Sequence, residues 1–122
     1  PGPYQVQAAI AALHAQAPRP EDTDWPEIAT LYRVLKTMSP SPVIELNWAV
    51  AVAMADGPDA GLALMEPLGD DLDRYHLFHA ARADLLRRSG RTSEAKAAYQ
   101  RALELVTNPV ERKYLLRRAS RA

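Results

Sequence analysis

The chain has 122 residues, of which 48% are hydrophobic, which is enough for one domain with a continuous apolar core. It has a formal net charge of +0 and no cysteine, which excludes disulfides, thiolate chemistry and cysteine-ligated zinc. The longest apolar run, near Ala49–Ala55, is far shorter than the roughly 20 residues that span a bilayer.

Capping residues and prolines divide the chain into seven predicted helices. Ser41, Gly57 and Asn108 each precede a proline, which is well placed at the first position of a helix because its missing N–H has no intrahelical partner there. Asp24 followed three residues later by Glu27 is typical of a capping box at a helix start, and Gly90 is typical of a helix end. The predicted helices cover about residues 4–16, 25–38, 42–55, 58–67, 73–89, 92–106 and 109–120.

Apolar residues recur in these segments with the period of an α-helix. In the first helix they are Val6, Ala9, Ile10 and Leu13, and in the second they are Ile28, Leu31, Tyr32 and Leu35. No segment alternates with period 2 for long enough to predict a strand. The pattern therefore predicts an all-α fold.

The helices repeat as pairs with a period of about 34 residues. Around the turn at Gly90, small residues (Ala83, Ala95, Ala102) and one aromatic, Tyr99, occupy positions where paired helices touch in tetratricopeptide repeats. Tyr32 lies about two periods earlier. We therefore expect a single domain over residues 1–122: three tetratricopeptide-like hairpins in a right-handed superhelical stack, closed by helix 7 as a polar capping helix.

In such a stack the first helix of each hairpin lines a concave groove. The groove candidates are Asn47, Asp84, Arg87 and Arg88, which could hold an extended peptide or a partner helix. The alternative is that the Asn47 side chain only forms hydrogen bonds with neighbouring backbone groups, and that Asp84 and Arg88 form an ordinary i,i+4 ion pair.

The formal net charge of the chain is zero because its two halves carry opposite net charges. Up to Asp73 there are 11 acidic residues against three basic ones, and from Arg74 onward there are 12 basic residues against four acidic ones. Such a division orients partners, although solvated helix ends would also produce it. The charged docking candidates are Asp70, Asp71, Asp73, Arg117 and Arg118. The three aspartates also suit an N-terminal charge cluster of helix 5.

No constellation of catalytic or cofactor-binding residues is found. His76 and His79 have a spacing that suits a metal, but no third ligand accompanies them, so we expect one to pack in the hairpin and the other to be exposed. We therefore expect no catalytic activity, no cofactor and no metal. The basic residues of helix 7 are typical of nucleic-acid surfaces, but the neutral chain argues against direct contact with nucleic acid.

Five segments of the chain resemble, over their whole length, segments of one known type of sequence. They are GPYQVQAAIAALHA (Gly2–Ala15), DTDWPEIATLY (Asp22–Tyr32), SPVIELNWAVAVAMADGP (Ser41–Pro58), YHLFHAARADLLRRSGR (Tyr75–Arg91) and AKAAYQRALELVTNPVERKYL (Ala95–Leu115). Together they resemble the C-terminal extension of bacterial extracytoplasmic-function (ECF) RNA polymerase sigma factors. At Trp48 the chain departs from the family pattern, which has a basic residue there.

The resemblance implies a cytoplasmic, tetratricopeptide-like regulatory domain that acts through protein contacts. Its partners would be the sigma-factor N-terminal domains, RNA polymerase or a signalling protein, with DNA bound only by promoter-reading domains that this chain lacks. Since the chain begins at Pro1 without an initiator methionine, we expect a C-terminal piece of a longer protein. The acidic half could then cover a basic DNA-binding surface of the preceding domains.

Two other classes of function stay open. One is a free-standing tetratricopeptide adaptor that binds a peptide of an unrelated partner. The other is a helical enzyme or ligand-binding domain, against which the lack of an acid, base or nucleophile constellation argues.

Overall fold

The computed structural model describes residues 2–121 and shows an all-α fold, with no strand in that range. The prediction of fold class is therefore confirmed. Two short 3-10 segments, Pro20–Asp22 and Glu66–Leu68, supplement the helices. The seven α-helices are α1 (Pro3–Gln16), α2 (Trp25–Met38), α3 (Pro42–Asp56), α4 (Pro58–Met65), α5 (His76–Arg88), α6 (Thr92–Leu105) and α7 (Pro109–Ser120).

The described helices form two compact units, the first ending at Gly61 and the second beginning at Leu62, within α4. In the first unit α2 packs against both α1 and α3, and in the second unit α6 packs against both α5 and α7. Short connections between consecutive packed helices are what helical hairpins require.

The predicted capping residues begin their helices largely as expected. Asp24 Oδ1 accepts the Glu27 N–H at 3.2 Å, and Asn108 Oδ1 accepts the N–H groups of Val110 at 2.8 Å and Glu111 at 3.1 Å. These bonds satisfy donors that an α-helix leaves unpaired at its first turn. The predicted return bond from the Glu27 carboxylate does not form among the described residues, so Asp24 caps α2 on its own.

Gly90 ends α5 as predicted, with a φ of +80°, which favours glycine because it has no Cβ. The Gly90 N–H donates to the Arg87 carbonyl at 3.1 Å, and the Arg91 N–H donates to the Leu86 carbonyl at 2.9 Å. This pair of bonds is a Schellman motif. It turns the chain from α5 directly into α6.

The core of the first unit is formed by one face of each of its first three helices. Val6 and Ile10 of α1 pack with Ile28 and Leu35 of α2 and with Ala51 of α3. Tyr32 lies beside this cluster and is half-buried, and its burial raises the pKa of its phenol above the ordinary value. The i, i+3, i+4, i+7 pattern therefore identified the buried face of α2 and most of that of α1. Ala9, which the pattern placed on the buried face of α1, is exposed.

The core of the second unit contains the small residues and the aromatic that the repeat predicted. Ala83, Ala95 and Ala102 are fully buried, and Tyr99 is 1% exposed. Small side chains let α5 and α6 approach closely, and close packing of an interior leaves little empty space around a buried ring such as that of Tyr99. α7 contributes one buried residue to this unit, Leu115.

The predicted start of helix 5 near residue 73 is wrong, because α5 begins at His76. Residues 69–74 form turns instead, held by hydrogen bonds from Leu72 N to Leu68 O and from Tyr75 N to Leu72 O. The side chain of Leu72 is buried, which fixes the path of this turn. Asp70, Asp71 and Asp73 therefore do not form the first turn of the helix, and the prediction of an N-terminal charge cluster is wrong as well.

Candidate functional site

The second unit holds a cluster of four charged side chains centred on the Asp84 carboxylate, which we call the Asp84 cluster. Arg87 Nη2 lies 2.8 Å from Asp84 Oδ1, and Arg88 Nε lies 3.0 Å from Asp84 Oδ2. Arg118 of α7 adds a third cation, with its Nη2 at 3.2 Å from Asp84 Oδ1. The structure thus brings together three predicted groove residues and one predicted docking residue.

The cluster is partly shielded from solvent and has more cations than anions. The Asp84 side chain is 22% exposed, and the side chains of the three arginines are between 33% and 39% exposed. The pKa of Arg87 is raised above its ordinary value, mainly by the hydrogen bond that its guanidinium donates to the Asp84 carboxylate. Three guanidinium groups around one carboxylate form a positive surface with fixed geometry, because planar forks bind carboxylates in defined orientations.

We expect Asp84→Asn to lower the free energy of unfolding by about 1 kcal/mol, since partly exposed pairs contribute little each and three are weakened together. The cost should shrink at high salt, which screens the repulsion that remains among the arginines. Urea unfolding at low and high salt measures both effects. Glu94→Gln is the matched control, because it weakens one exposed pair with Arg91. An equal cost for the two variants would contradict the central role of Asp84.

The three aspartates of the docking prediction have different surroundings. Asp70 and Asp71 are exposed in the 69–74 turn and form no ion pair with any described residue. Asp73 Oδ2 instead lies 3.1 Å from Arg101 Nη2 of α6, and the Asp73 carbonyl accepts a hydrogen bond from His79 Nε2 at 2.6 Å. Asp73 therefore tethers the turn to its own unit, while Asp70 and Asp71 are available to a partner.

The two histidines of α5 have different surroundings. His79 is buried and holds the backbone of the preceding turn, whereas His76 is partly exposed and its Nε2 lies 2.6 Å from Glu111 Oε2 of α7. The Glu111 carboxylate thus contacts α5 and does not complete a capping box at Asn108. Among residues 2–121, no group of three His, Cys, Asp or Glu side chains could hold a metal ion.

The remaining predicted residues lie on exposed helix surfaces. Arg117 is exposed on α7 and its side chain forms no ion pair with a described residue. Asn47 is exposed on α3, in the first unit. The groove that would join Asn47 to the arginines of α5 stays a prediction.

Sequence reasoning missed two surface clefts. One, of about 150 Å³, is lined by four residues of α7 and the turn that follows it: Tyr114, Arg117, Arg118 and Arg121. Their i, i+3, i+4, i+7 spacing was the available sign, but helix 7 was interpreted as a polar cap with basic docking residues and not as one wall of a cleft. The other, of about 360 Å³, lies in the first unit beside the Pro20–Asp22 segment, where the ring of His14 meets the ring of Trp25 edge to face.

No protein-family model matches the chain. Over 115 residues the chain is 55% identical to an uncharacterized protein of Rhizobium meliloti (strain 1021). The match covers 94% of this chain and 27% of that relative, so the chain spans about a quarter of the relative's length. Within the part of the chain that the structure describes, no helix is both long and apolar enough to cross a membrane.

Proposed function

We propose that the chain is a regulatory protein-interaction domain of an ECF-type RNA polymerase sigma factor. It is cytoplasmic, has no catalytic activity of its own, and tunes the sigma factor by docking on its promoter-binding domains, on polymerase or on a signalling protein. The specific role rests on the resemblance of five sequence blocks, because a helical fold supports many functions. The match covers only 27% of the relative, which is consistent with one domain of a larger protein.

One observation supports docking in particular: exposed charges without partners of their own lie beside charges that are already paired. Asp70, Asp71 and Arg117 form no ion pair with a described residue, while Asp73 and Asp84 are both paired within the second unit. Unpaired exposed charges on a well-packed surface attract a complementary partner and orient it on encounter. The paired charges hold the surface in shape while the unpaired ones remain available.

In the intramolecular form of the proposal, the turn at Asp70 and Asp71 docks on a basic DNA-binding surface of the preceding sigma domains. DNA and this turn are both negatively charged, so they would compete for the same basic surface. Docking would then reduce promoter binding until a signal released the turn. An interaction of this kind weakens steeply with salt, since exposed charges are screened beyond about 8 Å at physiological ionic strength.

The test is capture of the purified promoter-binding domains of a sigma factor with this type of extension, using the chain as bait at low and high salt. We expect capture at low salt that is lost at high salt. The double variant Asp70→Lys, Asp71→Lys should weaken capture about tenfold, which corresponds to 1.4 kcal/mol. The matched control is Glu66→Lys with Glu104→Lys, which makes the same change in net charge at other exposed sites of the second unit.

Equal weakening by the control pair would show a general charge effect and would remove the assignment to this turn. Capture that does not respond to salt would contradict an electrostatic clamp. Absence of capture at every salt concentration would overturn intramolecular docking and favour an external partner, as expected for a tetratricopeptide adaptor.

A further inference from the structure

The cleft on α7 differs from every other charged site described in the second unit because cations line it without a carboxylate. Tyr114, Arg117, Arg118 and Arg121 surround about 150 Å³ of open space. They follow one another at i, i+3, i+4 and i+7, so one face of the helix and its C-terminal turn presents all four. We call this site the arginine cleft.

Internal contacts hold one wall of the arginine cleft and leave the other walls available. The Arg118 guanidinium is bonded to Asp84 Oδ1 at 3.2 Å and lies over the Tyr114 ring, 5.5 Å from its centroid. Arg117 and Arg121 are exposed, and neither side chain forms an ion pair with a described residue. The cleft therefore contains two unpaired guanidinium groups beside a third that is already positioned.

An apolar surface continues the same face of α7. Val110 is one turn before Tyr114 and is 78% exposed, and the Tyr114 ring is half exposed. A partner that fills this face needs carboxylates for the guanidinium forks and an apolar side chain for Val110 and Tyr114. An acidic amphipathic helix carries these two kinds of side chain on adjacent positions.

The dimensions and charge of the cleft favour such a helix over nucleic acid. A volume of about 150 Å³ accommodates one or two side chains, whereas a nucleic-acid backbone needs a continuous positive track. Asp84 and Glu111 lie on or beside α7 and interrupt the row of cations that a nucleic-acid backbone would follow. The whole chain is also neutral, with 15 basic and 15 acidic residues.

We propose that the arginine cleft binds an acidic amphipathic helix of a partner protein, with glutamate or aspartate carboxylates on Arg117 and Arg121 and an apolar residue on Val110 and Tyr114. This inference rests on the proposed function, because it names the chemistry of a docking partner. It does not depend on the partner being the sigma domains themselves.

The test uses the full chain and four probes in fluorescence anisotropy: a labelled helical peptide of Glu and Leu, the same peptide with Gln for Glu, single-stranded oligothymidylate and inorganic phosphate as competitor. We expect binding of the acidic peptide, and at least about tenfold weaker binding of the Gln peptide and of the Arg117→Glu, Arg121→Glu variant. Arg74→Glu with Lys96→Glu is the matched control, since both residues are exposed in the second unit and neither lines the cleft. This control should change affinity less than about threefold.

Two further results separate binding in the cleft from general charge attraction and from binding of phosphate groups. Val110→Ser should also weaken the acidic peptide while leaving the net charge unchanged. Equal affinity of the wild type and the Arg117→Glu, Arg121→Glu variant, with circular dichroism showing both folded, would overturn the proposal. So would tighter binding of the oligothymidylate than of the acidic peptide, or complete displacement of the peptide by inorganic phosphate at millimolar concentration.

The outcomes distinguish this inference from the proposed function. Peptide binding in the cleft without capture of sigma domains would reject the proposed docking partner and keep the cleft. Capture of sigma domains that is unchanged by Arg117→Glu, Arg121→Glu would keep the proposed function and reject the cleft as its docking site.

Discussion

Tyr99→Ala is expected to lower the free energy of unfolding by about 3–5 kcal/mol, the usual cost of deleting a large buried aromatic side chain. The Tyr99 ring is almost entirely buried on α6, the helix that also carries the buried Ala95 and Ala102. Those alanines cannot expand into the space left by the ring, so a cavity should remain. Urea unfolding followed by circular dichroism measures the loss.

Tyr99→Phe is the matched control, because it keeps the ring and removes only the hydroxyl. That hydroxyl is buried and forms no hydrogen bond of good geometry with a described residue. Removing an unsatisfied buried hydroxyl costs little and can stabilise a protein. A cost below about 1 kcal/mol for Tyr99→Ala would show that the ring does not fill the space between the two helices.

Leu115→Ala is expected to cost about 2–3 kcal/mol and to loosen α7 before the rest of the second unit. Leu115 is the one buried residue of α7, and three polar contacts also attach the helix to its unit. These are the Glu111 contact with His76, the Arg112 bond to the Leu103 carbonyl at 2.8 Å and the Arg118 bond to Asp84. Native-state hydrogen exchange should show amides of α7 losing protection while amides of α5 and α6 keep more of theirs.

The neighbouring leucine provides the control for this substitution. Leu116 is 50% exposed, so Leu116→Ala makes the same chemical change on the solvent side and should alter stability by less than about 0.5 kcal/mol. Similar costs for both leucines, or uniform loss of protection across the second unit, would mean that α7 is not separately attached.

Much of the fold could be predicted because local rules decide it. Proline after a capping residue begins α3, α4 and α7, and glycine with positive φ ends α3 and α5. These effects act within a few residues of the chain and need no tertiary information. The buried face of α6 also followed from the repeat, because close helix contact requires small residues at Ala95 and Ala102.

The start of α5 could not be predicted in the same way. Acidic residues before an apolar segment are typical of a helix N-terminus, so the aspartates near residue 73 favoured an early start. Burial of Leu72 and the tertiary hydrogen bond that Arg101 donates to Asp73 hold those residues in turns instead. Contacts between distant parts of the chain overrode a local preference there.

The candidate site was predicted in its members but not in its arrangement. Arg87 and Arg88 follow Asp84 at i+3 and i+4, spacings that place side chains on one face of a helix. Such pairs can be predicted from the sequence. Arg118 lies 34 positions after Asp84 in the chain, so its contact with Asp84 depends on how α7 packs. The arginine cleft was missed for a related reason, since its existence depends on which face of α7 remains exposed.

Packing between consecutive helices within each unit has a consequence for folding kinetics. α2 contacts the helices immediately before and after it, and α6 does the same in the second unit. Contacts between near neighbours in sequence require little loop closure before they stabilise the chain, and folds rich in them form in microseconds to milliseconds. Each of these six helices therefore finds a packing partner in a neighbouring helix of its own unit, so each unit can assemble progressively as it leaves the ribosome.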